Sequence, residues 1–139
     1  MIVLDTSGLL AALLASQDEH KAARRTLESE PGPFVLSPFV LAEVDYFIAR
    51  GAGTDVEVEL LDEVARGAYE LAKLSGDDVA AARDVIRAYG DLGIGLADSS
   101  IVVLAGKLGT DRVLTLDERH FRALGTPQGR PFTILPADA

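Results

Sequence analysis

The sequence contains no cysteine, and this absence removes several classes of chemistry. Disulfides, zinc–thiolate sites and thiol nucleophiles are all excluded. Only two histidines, His20 and His120, remain as nitrogen ligands. We therefore expect any metal in this protein to be bound by oxygen atoms.

Long hydrophobic runs are also missing. The apolar runs of the sequence, such as those at residues 9–15 and 101–105, fall far short of the roughly 20 residues that a membrane-spanning helix requires. The first five residues have neither the basic stretch nor the small-residue cleavage site of an export signal. These features predict a cytoplasmic protein with no membrane partner.

Basic residues are few: 13 lysines and arginines stand against 22 aspartates and glutamates, which gives a net charge of −9. This balance has the wrong sign for a protein that holds nucleic acid through bulk electrostatics. Bound metal would neutralise some of the acids, and a basic partner or a dimer groove would supply positive surface. An anionic substrate would need one of these sources.

The 139 residues fit one domain, 1–139, because no linker or repeat divides them. Short β-prone runs alternate with helical stretches, which predicts an α/β fold with a mainly parallel sheet covered on both faces. The predicted strands are Ile2–Leu4, Phe34–Leu36, Tyr69–Leu74, Arg112–Leu116 and Phe132–Leu135. The predicted helices cover about 9–14, 19–29, 38–50, 55–65, 77–89 and 96–108, with a short one from 118.

Two acids directly follow predicted strands. Asp5 closes the first strand, and Asp117 closes the strand that begins at Arg112. Ligands of an open parallel sheet bind beyond the carboxyl ends of its strands, so both carboxylates are candidates for one site there. Each also has a simpler explanation, because aspartate is a common helix cap.

Glu43 shares a helical face with apolar residues one turn before and after it, including Phe39 and Phe47. We therefore expect its carboxylate to be at least partly buried, where it needs a cationic partner, hydrogen bonds or a metal. Asp45, which lies over Ala42 and Ala49, is expected to be a solvated surface charge.

Asp98 follows a glycine-rich turn and opens an apolar helix, so alone it would be a cap. Together with Asp5, Glu43 and Asp117 it would form a set of four acids facing one sheet edge, which weakens the explanation of Asp98 as a cap alone. Two carboxylates about 4 Å apart repel by about 4 kcal/mol at an effective dielectric constant of about 20, so a cluster must be neutralised. Hard oxygen ligands favour Mg²⁺ or Mn²⁺, and such a site suits phosphodiester hydrolysis.

The two histidines form no recognisable nucleophilic triad. We expect His20 to lie on the surface and His120 to make a substrate contact at most. The glycine-rich segments near residues 51–53 and 90–95 do not fit a nucleotide-binding fingerprint, so no nucleotide cofactor is predicted.

Four segments in this order resemble a known family. They are Asp5-Thr6-Ser7, Leu41-Ala42-Glu43-Val44, Leu96-Ala97-Asp98-Ser99-Ser100 and Leu114-Thr115-Leu116-Asp117-Glu118-Arg119-His120-Phe121. Together they look like a PIN-domain ribonuclease, most closely the VapC toxins of bacterial toxin–antitoxin pairs. The resemblance runs from Met1 to about Pro136.

The resemblance implies a PIN-like three-layer α/β/α sandwich and a metal-dependent endoribonuclease. It implies that Asp5, Glu43, Asp98 and Asp117 bind Mg²⁺ or Mn²⁺ and are the catalytic acids. It also implies an RNA substrate, a homodimer, and a VapB-type antitoxin whose arginine-bearing tail enters the acidic groove of a hetero-oligomer. Gly8, and Ser99 where alanine is common, are mild departures from the family pattern.

Two other classes remain as alternatives. One is a catalytically silent PIN-like module that binds only RNA or its partner. The other is a receiver-like phosphoacceptor domain, which would want an acidic pair near the first strand and a late lysine at a strand end, and the sequence has neither. A phosphatase of the haloacid dehalogenase type would need aspartate where Ser7 stands.

Overall fold

A five-stranded parallel sheet lies at the centre of the computed structural model, which describes all residues from Met1 to Ala139. The strands are β1 (Ile2–Leu4), β2 (Phe34–Leu36), β3 (Glu70–Leu71), β4 (Arg112–Leu114) and β5 (Thr133–Leu135). Their order across the sheet is β3-β2-β1-β4-β5, and every neighbouring pair is parallel. The predicted α/β class and parallel sheet are confirmed.

Seven helices connect and cover these strands. They are α1 (Thr6–Leu13), α2 (His20–Ser29), α3 (Pro38–Gly51), α4 (Thr54–Ala65), α5 (Gly76–Ala88), α6 (Leu96–Leu108) and α7 (Glu118–Ala123). A single 3₁₀ turn, Gly90–Leu92, separates α5 from α6. None of these helices has both the length and the apolar character needed to cross a membrane.

The central strand explains the three-layer arrangement. Side chains of a strand alternate between the two faces of its sheet. Ile2, Val3 and Leu4 are nevertheless all completely buried, so helices cover both faces of β1. This arrangement confirms the expected α/β/α sandwich.

Local sequence signals place the helix ends. The Ser37 hydroxyl accepts a hydrogen bond from the Phe39 amide, and Pro38 occupies the first turn of α3. Ser75 and Asp78 form a reciprocal capping box at the start of α5. Gly109 ends α6 in the left-handed conformation, with φ of 68°, which only glycine adopts without strain.

Three strands are shorter than predicted, and β5 lacks only the first predicted residue, Phe132. In the predicted 69–74 strand only β3 forms at the sheet edge, with Tyr69 buried in the core and Leu71 exposed. The strand predicted to reach Leu116 ends at Leu114. It ends there because the Leu116 amide donates to the Ser7 hydroxyl, which draws the chain away from the sheet ladder.

The sheet has a topological switch point beside β1. The chain runs outward on one side through β2 and β3, then returns to begin β4 on the other side of β1. Leu4 of β1 is in register with Leu114 of β4. The residues that follow these two strands therefore emerge side by side, at the position where open α/β sheets bind ligands.

Gly8 allows α1 to approach this switch point closely. A Cβ atom at Gly8 would lie well within van der Waals contact distance of the Leu114 carbonyl and 2.8 Å from the Thr115 backbone nitrogen. Because these neighbours are backbone atoms, no side-chain rotation can relieve the clash. The glycine at this position is therefore what permits α1 to pack so closely on the end of β4.

We expect Gly8→Ala to lower the free energy of unfolding by about 2–3 kcal/mol, because the added methyl group forces α1 away from β4. Urea denaturation followed by circular dichroism measures the change. Gly51→Ala is the matched control, since Gly51 also lies in a helix but an added Cβ there would meet no atom within 4 Å. Its alanine variant should be neutral or stabilised by up to about 1 kcal/mol, and equal destabilisation of both variants would contradict the explanation.

Candidate metal centre

Asp5 is the most deeply buried acid of the protein, with an exposed fraction of 4%. It occupies the N-cap position of α1, but its side chain makes no cap hydrogen bond. Its Oδ2 atom instead accepts from the Thr115 hydroxyl at 2.6 Å and from the Ser7 hydroxyl at 3.3 Å. Helix capping therefore does not explain this buried carboxylate.

A pair of hydroxyl groups ties the two strand ends together. Ser7 Oγ and Thr115 Oγ1 lie 3.1 Å apart, and both contact Asp5. The amide of Leu116 donates to Ser7, and the amide of Asp117 donates to Thr115, each at 2.9 Å. The segments after β1 and β4 are thus held in one network, with the Asp5 carboxylate at its centre.

Asp117 divides its carboxylate between two environments. Oδ1 caps α7 by accepting from the His120 amide at 3.1 Å. Oδ2 lies 2.8 Å from Nδ1 of the His120 ring. Asp117 is therefore a helix cap, as the simpler explanation proposed, and at the same time a member of a charged cluster.

Asp98 lies in the first turn of α6, whose N-cap is Gly95. Its Oδ2 atom is 3.4 Å from Nδ1 of His120. Burial is the main reason that the pKa of Asp98 is raised, and the charges of Asp117 and Glu43 raise it further while His120 lowers it. Asp98 also raises the pKa of Asp5, so it is electrostatically linked to all three other acids.

Glu43 lies beside this cluster, but the expectation that it is partly buried is wrong. Helix α3 buries Val40, Val44 and Ile48, and Glu43 lies on the flank of that stripe with its side chain exposed. Phe47, which was expected to cover it, is itself 48% exposed. Exposure gives Glu43 the widest range of side-chain positions among the four acids, although its charge still reaches Asp98.

The expectation for Asp45 is wrong in the opposite direction. Asp45 is half-buried, and its Oδ1 atom is fully buried without a hydrogen-bond partner. It faces Glu57 of α4, and this contact is the main reason that the pKa of Glu57 is raised. The two acids belong to the α3–α4 contact and not to the cluster around Asp98.

His120 is the residue whose place in the cluster sequence reasoning missed. One ligand atom each from Asp98, Asp117 and His120 can be chosen so that all three atoms lie within 4.8 Å of one another. The signal in the sequence is the spacing of Asp117 and His120, since residues three apart on a helix lie on the same side. His20, in contrast, has its Nδ1 atom 2.7 Å from the Ala11 carbonyl oxygen and contacts no acid of the cluster.

Burial has a large effect on the ionisation of Asp5. Desolvation is the main cause that raises the pKa of Asp5 to about 6, with a smaller contribution from Asp98, while the Thr115 hydrogen bond opposes the rise. No lysine or arginine forms an ion pair with any of the four acids at this sheet edge. The four acids therefore have no lysine or arginine as a counter-charge, and His120 is the basic side chain beside Asp98 and Asp117.

The donor atoms present fit a divalent cation. Adjacent ligands of an octahedral ion are separated by about 3.0 Å when the metal–ligand bonds are about 2.1 Å. The distances from His120 Nδ1 to Asp117 Oδ2 and Asp98 Oδ2 are 2.8 Å and 3.4 Å, which are close to that edge length. Carboxylates that lie at a switch point with this spacing, and that have no lysine or arginine partner, are suitable ligands for such an ion.

The protein combines a parallel sheet, acids at its switch point and no phosphate-binding glycine loop, as expected for a nuclease domain that binds a metal through carboxylates. The chain matches the PIN domain family over residues 2–126 and is a member of that family. Ribonuclease VapC26 of Mycobacterium tuberculosis is 41% identical over 135 residues, which are 97% of this chain and 100% of that protein.

Two solved structures have a similar fold. VapC20 of Mycobacterium tuberculosis, described as a sarcin-ricin loop cleaving toxin, superposes with a TM-score of 0.83 at 22% identity, covering 94% of this chain and 100% of that one. A toxin–antitoxin complex from Klebsiella pneumoniae gives a TM-score of 0.66 at 18% identity, with 89% and 92% covered. At these identities the two structures establish the shared fold alone.

The raised pKa of Asp5 predicts a pH-dependent cost of ionising it. Below its unfolded pKa near 3.8 the neutral carboxyl is fully compatible with burial, and that stability is lost as the pH rises through about 6. Asp5→Asn should therefore stabilise the metal-free protein by up to about 3 kcal/mol at pH about 7.5, and by less at pH about 5. Urea denaturation in EDTA measures both values.

Asp62→Asn serves as the control for this experiment, because Asp62 is an exposed helical acid. Its free energy of unfolding should change little at either pH. An equal gain for Asp5→Asn at both pH values would contradict burial of the charged form as the cause.

Proposed function

We propose that this protein is a metal-dependent endoribonuclease that hydrolyses RNA phosphodiester bonds. The observation that carries the proposal is the grouping of Asp98, Asp117 and His120 at the switch point, where the charge of Asp98 is also coupled to those of Asp5 and Glu43. The naming of a relative 41% identical to this chain as a ribonuclease supports the same activity. We further propose that these four acids bind Mg²⁺ or Mn²⁺.

The four acids have different parts in this proposal. Asp5 is held rigidly by Thr115 and Ser7, so it would be a fixed ligand. Asp98 is half-buried next to it, and Asp117 presents one free oxygen because the other caps α7. Glu43, which is exposed, is free to adjust to the ion or to a water between them.

A divalent cation bound there supplies the positive charge that stabilises a developing oxyanion and lowers the pKa of water. The side chains of the cluster would hold this cation in position, and no lysine or arginine competes with it for the carboxylates. The net charge of −9 repels RNA. The phosphates can therefore approach the site only when bound metal has neutralised the acids.

We also propose that the protein is the toxin of a VapBC-type pair, binding a VapB-type antitoxin and forming a homodimer within a hetero-oligomer. The relative named VapC26 and the similar fold of a toxin–antitoxin complex support this assignment. Exposed apolar side chains on α3 and α4 offer a surface for such a partner. They are Tyr46, Phe47, Val58 and Leu61. An RNA substrate and an antitoxin both imply action in the cytoplasm.

The test of the ribonuclease proposal uses Asp5→Asn and Asp98→Asn. Both variants should fold and should lose cleavage of structured RNA by at least about 100-fold, because each removes a negative ligand from the cluster. The rate is measured on end-labelled RNA with Mn²⁺ or Mg²⁺ and with excess EDTA, which should abolish it.

Asp62→Asn is again the matched control and should cleave at the rate of the unchanged protein. Cleavage that persists in both Asp5→Asn and Asp98→Asn would overturn the catalytic assignment. RNA binding by a folded protein without metal-dependent cleavage would instead identify a catalytically silent module.

The partner proposal predicts that the product of a short reading frame directly upstream, with a basic tail, forms a complex with this protein and suppresses its cleavage. Phe47→Asp should weaken that complex about tenfold or more, because a charge replaces an exposed apolar contact. Isothermal titration calorimetry measures the affinity. Val79→Asp, on α5 and similarly exposed, is the control, and equal weakening by both variants would contradict a surface on α3 and α4.

A further inference from the structure

The ring of His120 lies inside the acidic cluster, and its role is not accounted for by the four acids. We propose that Nδ1 of His120 is a nitrogen ligand of the divalent cation and that this ligand makes the site prefer Mn²⁺ over Mg²⁺. The inference rests on the proposed metal-dependent function and adds a residue and a metal preference to it.

The position of the nitrogen is the first argument. His120 Nδ1 lies 2.8 Å from Asp117 Oδ2 and 3.4 Å from Asp98 Oδ2, so it stands between two carboxylates that belong to different elements. One ligand atom from each of the three residues can be chosen so that these atoms lie within 4.8 Å of one another. The three side chains are therefore close enough to share one ion after small side-chain adjustments.

The lack of a hydrogen bond at His120 Nδ1 also supports coordination of an ion. Nδ1 is buried and makes no hydrogen bond of acceptable geometry, despite the two carboxylates beside it. Buried polar atoms are normally hydrogen-bonded, so a buried nitrogen that lacks hydrogen-bond geometry with its neighbours is open to a further partner. Its lone pair would be satisfied by an ion placed between the carboxylates.

The ring is also held in place by its helix. The His120 amide donates to Asp117 Oδ1, which fixes the first turn of α7. The next residue, Phe121, is completely buried and packs edge-to-face on Phe132 with ring centroids 5.5 Å apart. A ligand carried on such an anchored turn is preorganised, and little conformational freedom is lost on binding.

The chemistry of imidazole sets the metal preference. Mg²⁺ binds hard oxygen ligands and keeps most of its waters, whereas Mn²⁺ and later transition metals also accept a nitrogen ligand. A site of carboxylates alone discriminates weakly between Mg²⁺ and Mn²⁺. Adding one imidazole nitrogen strengthens the binding of Mn²⁺ more than that of Mg²⁺.

A competing role is that His120 acts only as a positive counter-charge to Asp98 and Asp117. In that role the ring does not coordinate the ion, and its removal does not weaken the binding of Mn²⁺ more than the binding of Mg²⁺. The presence of nitrogen in the coordination shell separates the two roles directly.

The experiment uses untagged full-length protein loaded with Mn²⁺ and measures electron spin echo envelope modulation for imidazole nitrogen. The unchanged protein and His20→Gln should show the modulation, and His120→Gln should lose it. His20 is the matched control, because it is the other histidine of the chain and its Nδ1 contacts a backbone carbonyl. Selective ¹⁵N-histidine labelling of the unchanged protein should alter the modulation, a readout that does not depend on the folding of any variant.

Metal affinities provide the second readout. In His120→Gln the ratio of Mn²⁺ affinity to Mg²⁺ affinity should fall about tenfold, measured by Mn²⁺ titration and Mg²⁺ competition. Absence of imidazole modulation in the unchanged protein, or an unchanged affinity ratio in a folded His120→Gln protein, overturns the inference. RNA cleavage without imidazole modulation contradicts this inference alone, whereas modulation without any RNA cleavage contradicts the proposed function alone.

Discussion

The burial of the Asp5 carboxylate beside other acids is the constraint on which the site depends. A buried carboxylate costs free energy unless it is neutralised or hydrogen-bonded, and its acidic neighbours increase that cost. Two hydroxyl groups offset part of it, and they also join the ends of β1 and β4. The remaining charge is what a divalent cation would neutralise. The hydrogen bonds of Asp5 therefore join the ends of β1 and β4 and also keep a buried carboxylate where a cation would neutralise it.

Several features of the fold serve this one point. The strand order puts the switch between β1 and β4, and the absence of a side chain at Gly8 lets α1 approach the end of β4. Helix α6 brings Asp98 from a distant part of the sequence, and the anchored turn of α7 brings His120. The ion pairs of lysine and arginine all involve other acids.

The sequence predicted the elements well because caps and strand runs are local signals. Ser37 with Pro38, and Gly109, placed helix ends correctly, and Asp5 directly follows β1 as predicted. Asp117 was expected directly after a strand, but β4 ends at Leu114 and two residues separate them. The burial of Glu43 and Asp45 was predicted wrongly. Two residues apart on one helix, they differ by about 200° in direction, so their exposure depends on where α4 and α6 pack, which periodicity does not reveal.

The position of the His120 ring also depends on tertiary packing that a local sequence pattern does not reveal. Its spacing from Asp117 was visible, but the direction of its ring depends on how α7 is docked by Phe121, a tertiary contact. The assignment of the four acids as ligands came from the family resemblance together with strand ends. Their electrostatic coupling through Asp98 is a property of the folded chain that no single segment contains.

The double use of Asp117 has a practical consequence for preparing inactive protein. Asp5 and Asp98 cap no helix with their side chains, so an amide in either place alters charge and leaves the scaffold intact. One carboxylate oxygen of Asp117 accepts a hydrogen bond at the start of α7, and that turn also carries His120. A substitution there disturbs architecture and chemistry together, which makes it a poor choice for a structurally faithful null mutant.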